Sequence, residues 1–572
     1  MILNNALIAD PEALAFRPGS IRIRDGTITA LSATPFPADG DEVIDCAGRF
    51  VAPGLADGHI HIESSRLAPA AFAAEAVAHG TTAVFADPHE IANVLGVRGV
   101  EYFLDAAAGL PLDLFVGVPS CVPATHLETA GGAIGLAEIR SLLGRKGVYG
   151  LAEMMNFPAI IHGFGDARAR VAAALDAGKV VDGHAPGLRG TDLRRYIANG
   201  ADDGAVRIMS DHECTSFDEA WEKHTTGMHI MLRWGSSAAD LPNLLPGFAA
   251  RGVYSERLIL VSDDVSADEL RSRGHVNFLH ASARAILEKA GLSREQAHLH
   301  ALRMCTAGPC GYFRVPGGTI AVGGRANLIV YRSLETIHPD IVIHGGRIVA
   351  QDGATVPPPA ASAPAGLAAM VHVPDKPDLE VPAPSPAPVC RVIGLVDGAI
   401  VTTNLRETLP VRGGLIQPDP SRRIARLAVI ERHRGTGNIG RGFVRGFPFI
   451  EGAIASTVAH DSHNLIVAGY DTADMKTAVT QVAQAGGGMA AVFKRKICLI
   501  PLDIAGLMSS RPAGELIAAC RAMATFTRAM GCDRDPFATL AFLALPVIPV
   551  LKLTDRGLVD VGRFDFVPLI VE

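Results

Sequence analysis

Short apolar runs recur along the chain between about residues 51 and 312, each followed by a longer stretch whose apolar positions keep helical spacing. In order the runs are VAPGLADGHI, TTAVFAD, LDLFVGV, VYGLAEM, KVVDGH, VRIMSD, HIMLRW and LILVSDD. Between them lie APAAFAAEAVAHG, DARARVAAALDAG, TDLRRYIANG and SFDEAWEKH, several ending at a glycine as helices often do. Eight strands, each leading into a helix within roughly 250 residues, is the size and grammar of an α/β chain forming a (β/α)8, TIM-like barrel.

The pattern changes at both flanks. Residues 1–50 read as short strands and turns, and SIRIRDGTITAL holds two alternating runs about Asp25-Gly26, the signature of a hairpin. GTIAVGGRANLIVYRS and DIVIHGGRIVAQDG repeat that character after residue 317, so 1–50 and 313–352 are expected to form one small, split β-sandwich domain around the inserted barrel, 51–312. The stretch 353–389 is dense in proline and alanine and reads as a surface linker. Beyond it, 390–572 mixes strand runs (RLAVIER, NLIVAGYD, ICLIPLD) with helical runs (TADMKTAVTQVAQAG, GELIAACRAMATFTRAMG), an additional C-terminal α+β domain.

Composition narrows the class without changing this plan. The 572 residues are 48% hydrophobic and 19% charged, a globular profile, and the net charge of −7 is spread thinly. With 5% aromatic residues the chain lacks both the basic patches and the stacking platforms of a nucleic-acid binder. The N-terminus MILNNALIADPEALAF has no basic segment leading into an apolar one, and no apolar stretch reaches membrane-spanning length, so a cytoplasmic protein without a membrane partner is expected. Nine cysteines, scattered without a CxxC pair, argue against a disulfide framework or a thiolate zinc site.

A barrel displays its chemistry where its strands end. Strand one ends at His59 and His61, whose i, i+2 spacing turns both imidazoles to one side. Strand four ends at Glu153, strand five at His184, strand six at His212 and strand eight at Asp263 or Asp264. Imidazoles and carboxylates in this number suit a pair of divalent ions, with Glu153 able to bridge them through its two oxygens. Water between two cations is acidic enough to be hydroxide near neutral pH, and the strand-eight aspartate can move its proton to a leaving group. The implied chemistry is metal-assisted hydrolysis, with Glu153 and that aspartate as the catalytic groups.

Further polar residues follow the same strand ends. Glu63 and Ser64 come after the histidine pair, Asp87, His89 and Glu90 after strand two, and Glu213 after His212. These and Asp264 are candidates for contact with substrate, although loop carboxylates also serve as helix caps or solvated surface groups. Asp461 and His463, in VAHDSHNLIVAGYD, form another polar cluster that also reads as an ordinary turn before a strand. The isolated His79, His126 and His344 are assigned no function.

PGLADGHIHIES, taken with the later Glu, His, His and Asp, resembles the amidohydrolase superfamily. Within it, IHIESS, DPHEIANVLG, AEMMNFP, DGHAPGL, SDHE and HDSHN resemble the bacterial-type adenine deaminase family over most of the chain. The resemblance implies hydrolysis of adenine to hypoxanthine and ammonia, in purine salvage or catabolism, with two Mn2+ or Fe2+ ions. It implies that His59 and His61 with the strand-eight aspartate hold one ion, that His184 and His212 hold the other, and that Glu153 bridges. Of the two aspartates Asp263 is preferred, since it comes first after the apolar run and its neighbour would point away. A metal-bridged hydroxide would attack C6, and Glu63 and Ser64 would belong to the adenine-binding wall. The alternatives are a related enzyme acting on a modified adenine or another cyclic amide or amidine, and a non-catalytic scaffold, which would be expected to have lost ligands. The C-terminal domain is expected to pack against the barrel and help close the site or form a homodimer.

Overall fold

The computed structural model describes residues 1–356, 367, 371–397 and 399–571. Eight parallel strands curl around a common interior: β1 (Leu55–His61), β2 (Thr81–Ala86), β3 (Asp113–Val118), β4 (Val148–Met154), β5 (Val180–Gly183), β6 (Ser210–Asp211), β7 (His229–Arg233) and β8 (Leu258–Val261). Ladders join β1 through β5 and β6 through β8. Met209 N–H reaches Val181 C=O at 3.0 Å across the β5–β6 step. The ring closes where Asp263 and Asp264, just after β8, pair with Ile60 and His61 of β1. Every residue of β1, β2 and β4 is buried, as strands covered on both faces require. Phe85, Tyr149, Met231, Ile259 and Val261, drawn from all round the ring, pack in its interior.

Two strand expectations change in detail. The run from Val51 to Ile60 divides, because Phe50–Pro53 leaves to pair antiparallel with Leu328–Tyr331 and β1 begins only at Leu55. At the break, Gly54 lies so close to β2 that a Cβ there would sit 2.1 Å from Thr82 Oγ1. Strand six contracts to Ser210–Asp211, the preceding residues being irregular.

Strands from both flanks share one nine-stranded sheet, in which Phe50–Pro53 and Leu328–Tyr331 are the seam. Its hairpin Ala15–Arg24/Thr27–Ser32 turns at Asp25 and Gly26, with φ of 49° and 75°, the left-handed pair such a tight turn demands. Of the stretch read as a linker, 357–366 and 368–370 lie outside the described residues. The part after it packs instead of spanning: Leu379 is fully buried and Val381–Pro382 pairs antiparallel with Leu415–Ile416. Apolar side chains between the prolines give this part something to bury.

The C-terminal unit is built on an eight-stranded sheet, largely antiparallel. The helix Thr472–Gln484 lays Met475, Ala478, Val479 and Val482 on it, an i, i+3, i+4, i+7 stripe, and is capped by Asp471, whose carboxylate accepts from Ala473 and Asp474 N–H. This unit docks on the barrel through the β3–β4 connection. Thr129 N–H donates to Asp555 at 2.9 Å, Asn464 Nδ2 to Thr129 C=O at 2.8 Å, and Thr554 Oγ1 to Leu127 C=O at 2.7 Å. All nine cysteines are free thiols, and no helix among the described residues is long and apolar enough to cross a membrane.

Candidate metal centre

The ring brings His59, His61, Glu153, His184, His212 and Asp263 to one point at the C-terminal ends of the strands. Glu153 is its hub. One carboxylate oxygen lies 2.8 Å from His184 Nδ1 and 3.0 Å from His212 Nε2, and the other lies 3.8 Å from His61 Nε2. Asp263 Oδ1 is 3.3 Å from His61 Nε2 and 3.7 Å from His59 Nε2. The His59 and His61 Nε2 atoms are 3.2 Å apart. Asp264 faces the other way and accepts from Ser64 Oγ.

Local structure explains this convergence. His59 and His61 share one face of β1, and Asp57, on the other side of a register break, anchors β1 to the turn after β8 by accepting Ser262 N–H at 3.1 Å. His275 Nε2 reaches the same carboxylate at 2.9 Å. Gly183 lets β5 approach β6, where a Cβ would sit 2.1 Å from Ser210 C=O, and His184 follows directly. Asp263 itself turns through φ 58°, which swings its carboxylate to the histidine pair while its neighbour faces out. The buried Lys223 ammonium ties Asp211 at 2.7 Å to Ala185 C=O at 2.6 Å, fixing the backbone beside both His212 and His184.

The electrostatics call for a cation. His61 Nδ1 lies 2.9 Å from the Asp87 carbonyl, an acceptor only, so Nδ1 carries the proton and the Nε2 lone pair points at Asp263 and His59. A lone pair aimed at a carboxylate in a buried site needs a positive charge between them. Without a metal a proton fills that place: burial opposes it, but Asp263 and Glu153 hold the His61 imidazole well above its ordinary range. Against the same burial, His184 and His212 hold the Glu153 carboxyl well below the carboxylate range. The donor atoms of His59, His61 and Asp263 fall within 4.8 Å of one another, as do those of His59, Glu153 and His212, so the residues present suit a divalent metal.

The other sequence candidates divide. His89 enters the cluster, with Nδ1 3.3 Å from Glu153 and 3.4 Å from Asp87. Glu213 lies 3.6 Å from His212. Glu63 is buried, accepts Ile91 N–H at 3.2 Å, and is pushed up to about 8 by burial and then by the neighbouring Glu90. Glu90 turns away from the cluster toward the C-terminal unit, 3.1 Å from His460 Nδ1 and 3.7 Å from His463 Nε2. Asp461 and His463 do lie at a turn before the strand Leu465–Gly469, but both are buried, and His463 faces Glu90 of the barrel.

Two groups escaped the sequence reading. Arg233, the last residue of β7, donates to Asp263 Oδ2 at 3.0 Å and also pairs with Glu213 and Asp240. Its position at a strand end was the available signal. His460 opens the HDSHN phrase, but only Asp461 and His463 were singled out there, and its partner Glu90 belongs to another unit.

Comparison with known proteins follows the same division of the chain. Residues 50–349 match the amidohydrolase family, and residues 399–565 match the adenine deaminase C-terminal domain. An adenine deaminase of Desulfatibacillum aliphaticivorans is 43% identical over 100% of this chain and 97% of its own length. One of Nitratidesulfovibrio vulgaris is 40% identical over 99% of this chain and 96% of its own. Among solved structures, an N-isopropylammelide isopropylaminohydrolase from Burkholderia multivorans aligns with a TM-score of 0.46 and 18% identity, covering 62% of this chain and 99% of that one.

Proposed function

The chain belongs to the amidohydrolase family, among its adenine deaminases, and from that premise we propose that it hydrolyses adenine to hypoxanthine and ammonia. The observation that carries the chemistry is the gathering of four imidazoles and Asp263 around the Glu153 carboxylate, in a buried pocket that requires added positive charge. A divalent metal cofactor answers that requirement. We assign His59, His61 and Asp263 to one ion, His184 and His212 to a second, and Glu153 to both, with Mn2+ or Fe2+ as the metal.

When bound, such ions supply the Lewis acidity that makes water a nucleophile near neutral pH. The protein does the rest. Asp263 is held through Oδ2 by Arg233, which leaves Oδ1 on the histidine side to accept the proton of the attacking water and to deliver it to the departing ammonia. Glu63, Ser64, Asp87, His89, Glu90, Glu213 and Asp264 are read as the wall around the purine. The burial of Glu63 and its raised affinity for a proton support it as a hydrogen-bond donor to a ring nitrogen.

The same reading takes the chain as a split β-sandwich (1–50 with 313–352), a barrel (51–312) and a C-terminal α+β domain (390–572), acting in the cytoplasm as a homodimer. Incubating protein loaded with Mn2+ or with Fe2+ with adenine is expected to yield hypoxanthine and ammonia in equal amounts. Inactivity with both metals, in protein shown to hold them, refutes the assignment.

A further inference from the structure

The segment His460–Asn464 crosses from the C-terminal unit into the barrel mouth, and its side chains are almost all engaged. His460 Nδ1 lies 3.1 Å from Glu90, and its ring stacks on Phe542 with centroids 4.9 Å apart. Ser462 Oγ accepts from Asn464 Nδ2 at 3.2 Å. His463 Nδ1 accepts Ala459 N–H at 3.2 Å, which puts the ring proton on Nε2, facing Glu90. That tautomer turns a donor and not a lone pair toward Glu90, so Glu90 faces both histidines as an ion-pair partner and the trio is not read as a further metal site.

Asp461 is the exception. The residue is 5% exposed, yet its carboxylate has no hydrogen-bond partner among the described residues. The charged groups around it include His89, His460, Glu90 and Glu153, so it lies beside the centre on the side of the C-terminal unit. Its oxygens are not sealed off among the other side chains, and a free acceptor in so enclosed a place is open to a ligand.

We infer that Asp461 accepts the imidazole-ring N–H of the purine and so selects the free base over an N9-substituted one. The inference rests on adenine as substrate and deepens that reading. C6 must lie at the Glu153–Asp263 cluster for hydrolysis, so a group arriving from the covering unit meets the far half of the bicycle. An ionised carboxylate only accepts, and the far half of adenine offers one N–H, on the imidazole ring. A substituent at N9 removes that donor and leaves Asp461 unpaired again, which is how a buried polar group rejects an analogue.

The test uses the full-length, metal-loaded protein with Asp461→Asn and Asp461→Ala. For both variants KM for adenine is expected to rise about 10- to 100-fold, the range for losing a hydrogen bond to a charged group, with kcat within about threefold. Competitive inhibition by 9-methyladenine should stay within about threefold of wild type, because that ligand never made the bond. Bound metal and the thermal midpoint should be unchanged. An unchanged KM, a parallel weakening of both ligands, or loss of metal or folding in both variants overturns the inference. Wild-type protein inert toward adenine overturns the activity and this inference together, whereas active wild type with indifferent variants overturns the inference alone.

Discussion

His59, His61, Glu153 and His212 reach the centre from the ends of parallel strands or one step beyond, whereas His460, Asp461 and His463 reach it from a connection between Ala453–Ser456 and Leu465–Gly469 of another unit. The first set is held by barrel geometry. Strand register fixes which side chains face inward, and Asp57, Lys223 and Gly183 lock neighbouring strands together. The second set is held by docking: Glu90 grips both of its histidines, and Asn464 and Asp555 tie the loop to the β3–β4 connection. The barrel side gathers charge for a metal, and the loop side, in our reading, selects what may approach it. Loss of the first should abolish turnover, and loss of the second should change affinity and discrimination.

The sharpest way to break that contrast is Glu153→Gln. The substitution keeps the shape of the hub and removes its charge, leaving His184 and His212 without their anionic partner. Since losing even an outlying partner of a metal ligand costs about 10- to 100-fold, removing this carboxylate should lower kcat/KM by more than about 100-fold and reduce bound metal. Metal analysis beside steady-state kinetics measures both. A variant with nearly wild-type turnover would remove Glu153 from the centre and with it the idea that the barrel half alone sets the chemistry.

The two halves differed just as much in how far the sequence disclosed them. Strand periodicity and the rule that barrels act at their strand ends were enough to nominate Glu153, His184 and His212, because each nomination needs only local information. The same rule pointed to Arg233, which went unread because a strand-end arginine is commonplace and its partners Glu213 and Asp263 lie 20 and 30 residues away. The entry of His460 into the mouth depends on Glu90, across a unit boundary, and no period in either segment encodes it. Local composition misled in the proline-rich stretch for a related reason. Leu379 and Val381 look like linker residues until a partner surface is present to bury them.

Asp263→Asn and Asp264→Asn probe the contrast within a single turn. Asp263 carries its oxygen 3.3 Å from His61, while Asp264 accepts from Ser64, which we read as part of the purine wall. Losing a proton-transfer group costs on the order of 10² to 10⁴ in rate, and Asp263→Asn should pay that in kcat while keeping more of its metal than of its rate. Asp264→Asn should act on KM by about tenfold, as a lost hydrogen bond does. Separate determination of kcat, KM and metal content for the pair decides it. The opposite ranking would transfer the catalytic role to the second aspartate.

The smallest effect expected is one of pH on the docked loop, and it should leave the barrel centre out of account. Burial drives the His463 imidazole down to about 3, against an ordinary value of 6.5, despite the nearby Glu90. Between those values the unfolded chain binds a proton that the folded chain refuses, so stability must fall as pH drops below 6.5 and continue to fall toward 3. His463→Asn removes that proton, and its thermal midpoint, lower than wild type at pH 7 because the contact with Glu90 is lost, should decline less steeply between pH 6.5 and 4. The comparison is best made by calorimetry on metal-free protein, so that protonation of His59, His184 and His212 does not enter through metal release. Parallel slopes for the two proteins would mean that His463 titrates freely in the folded state, and the loop would then be a loosely held cover instead of a fixed wall of the site.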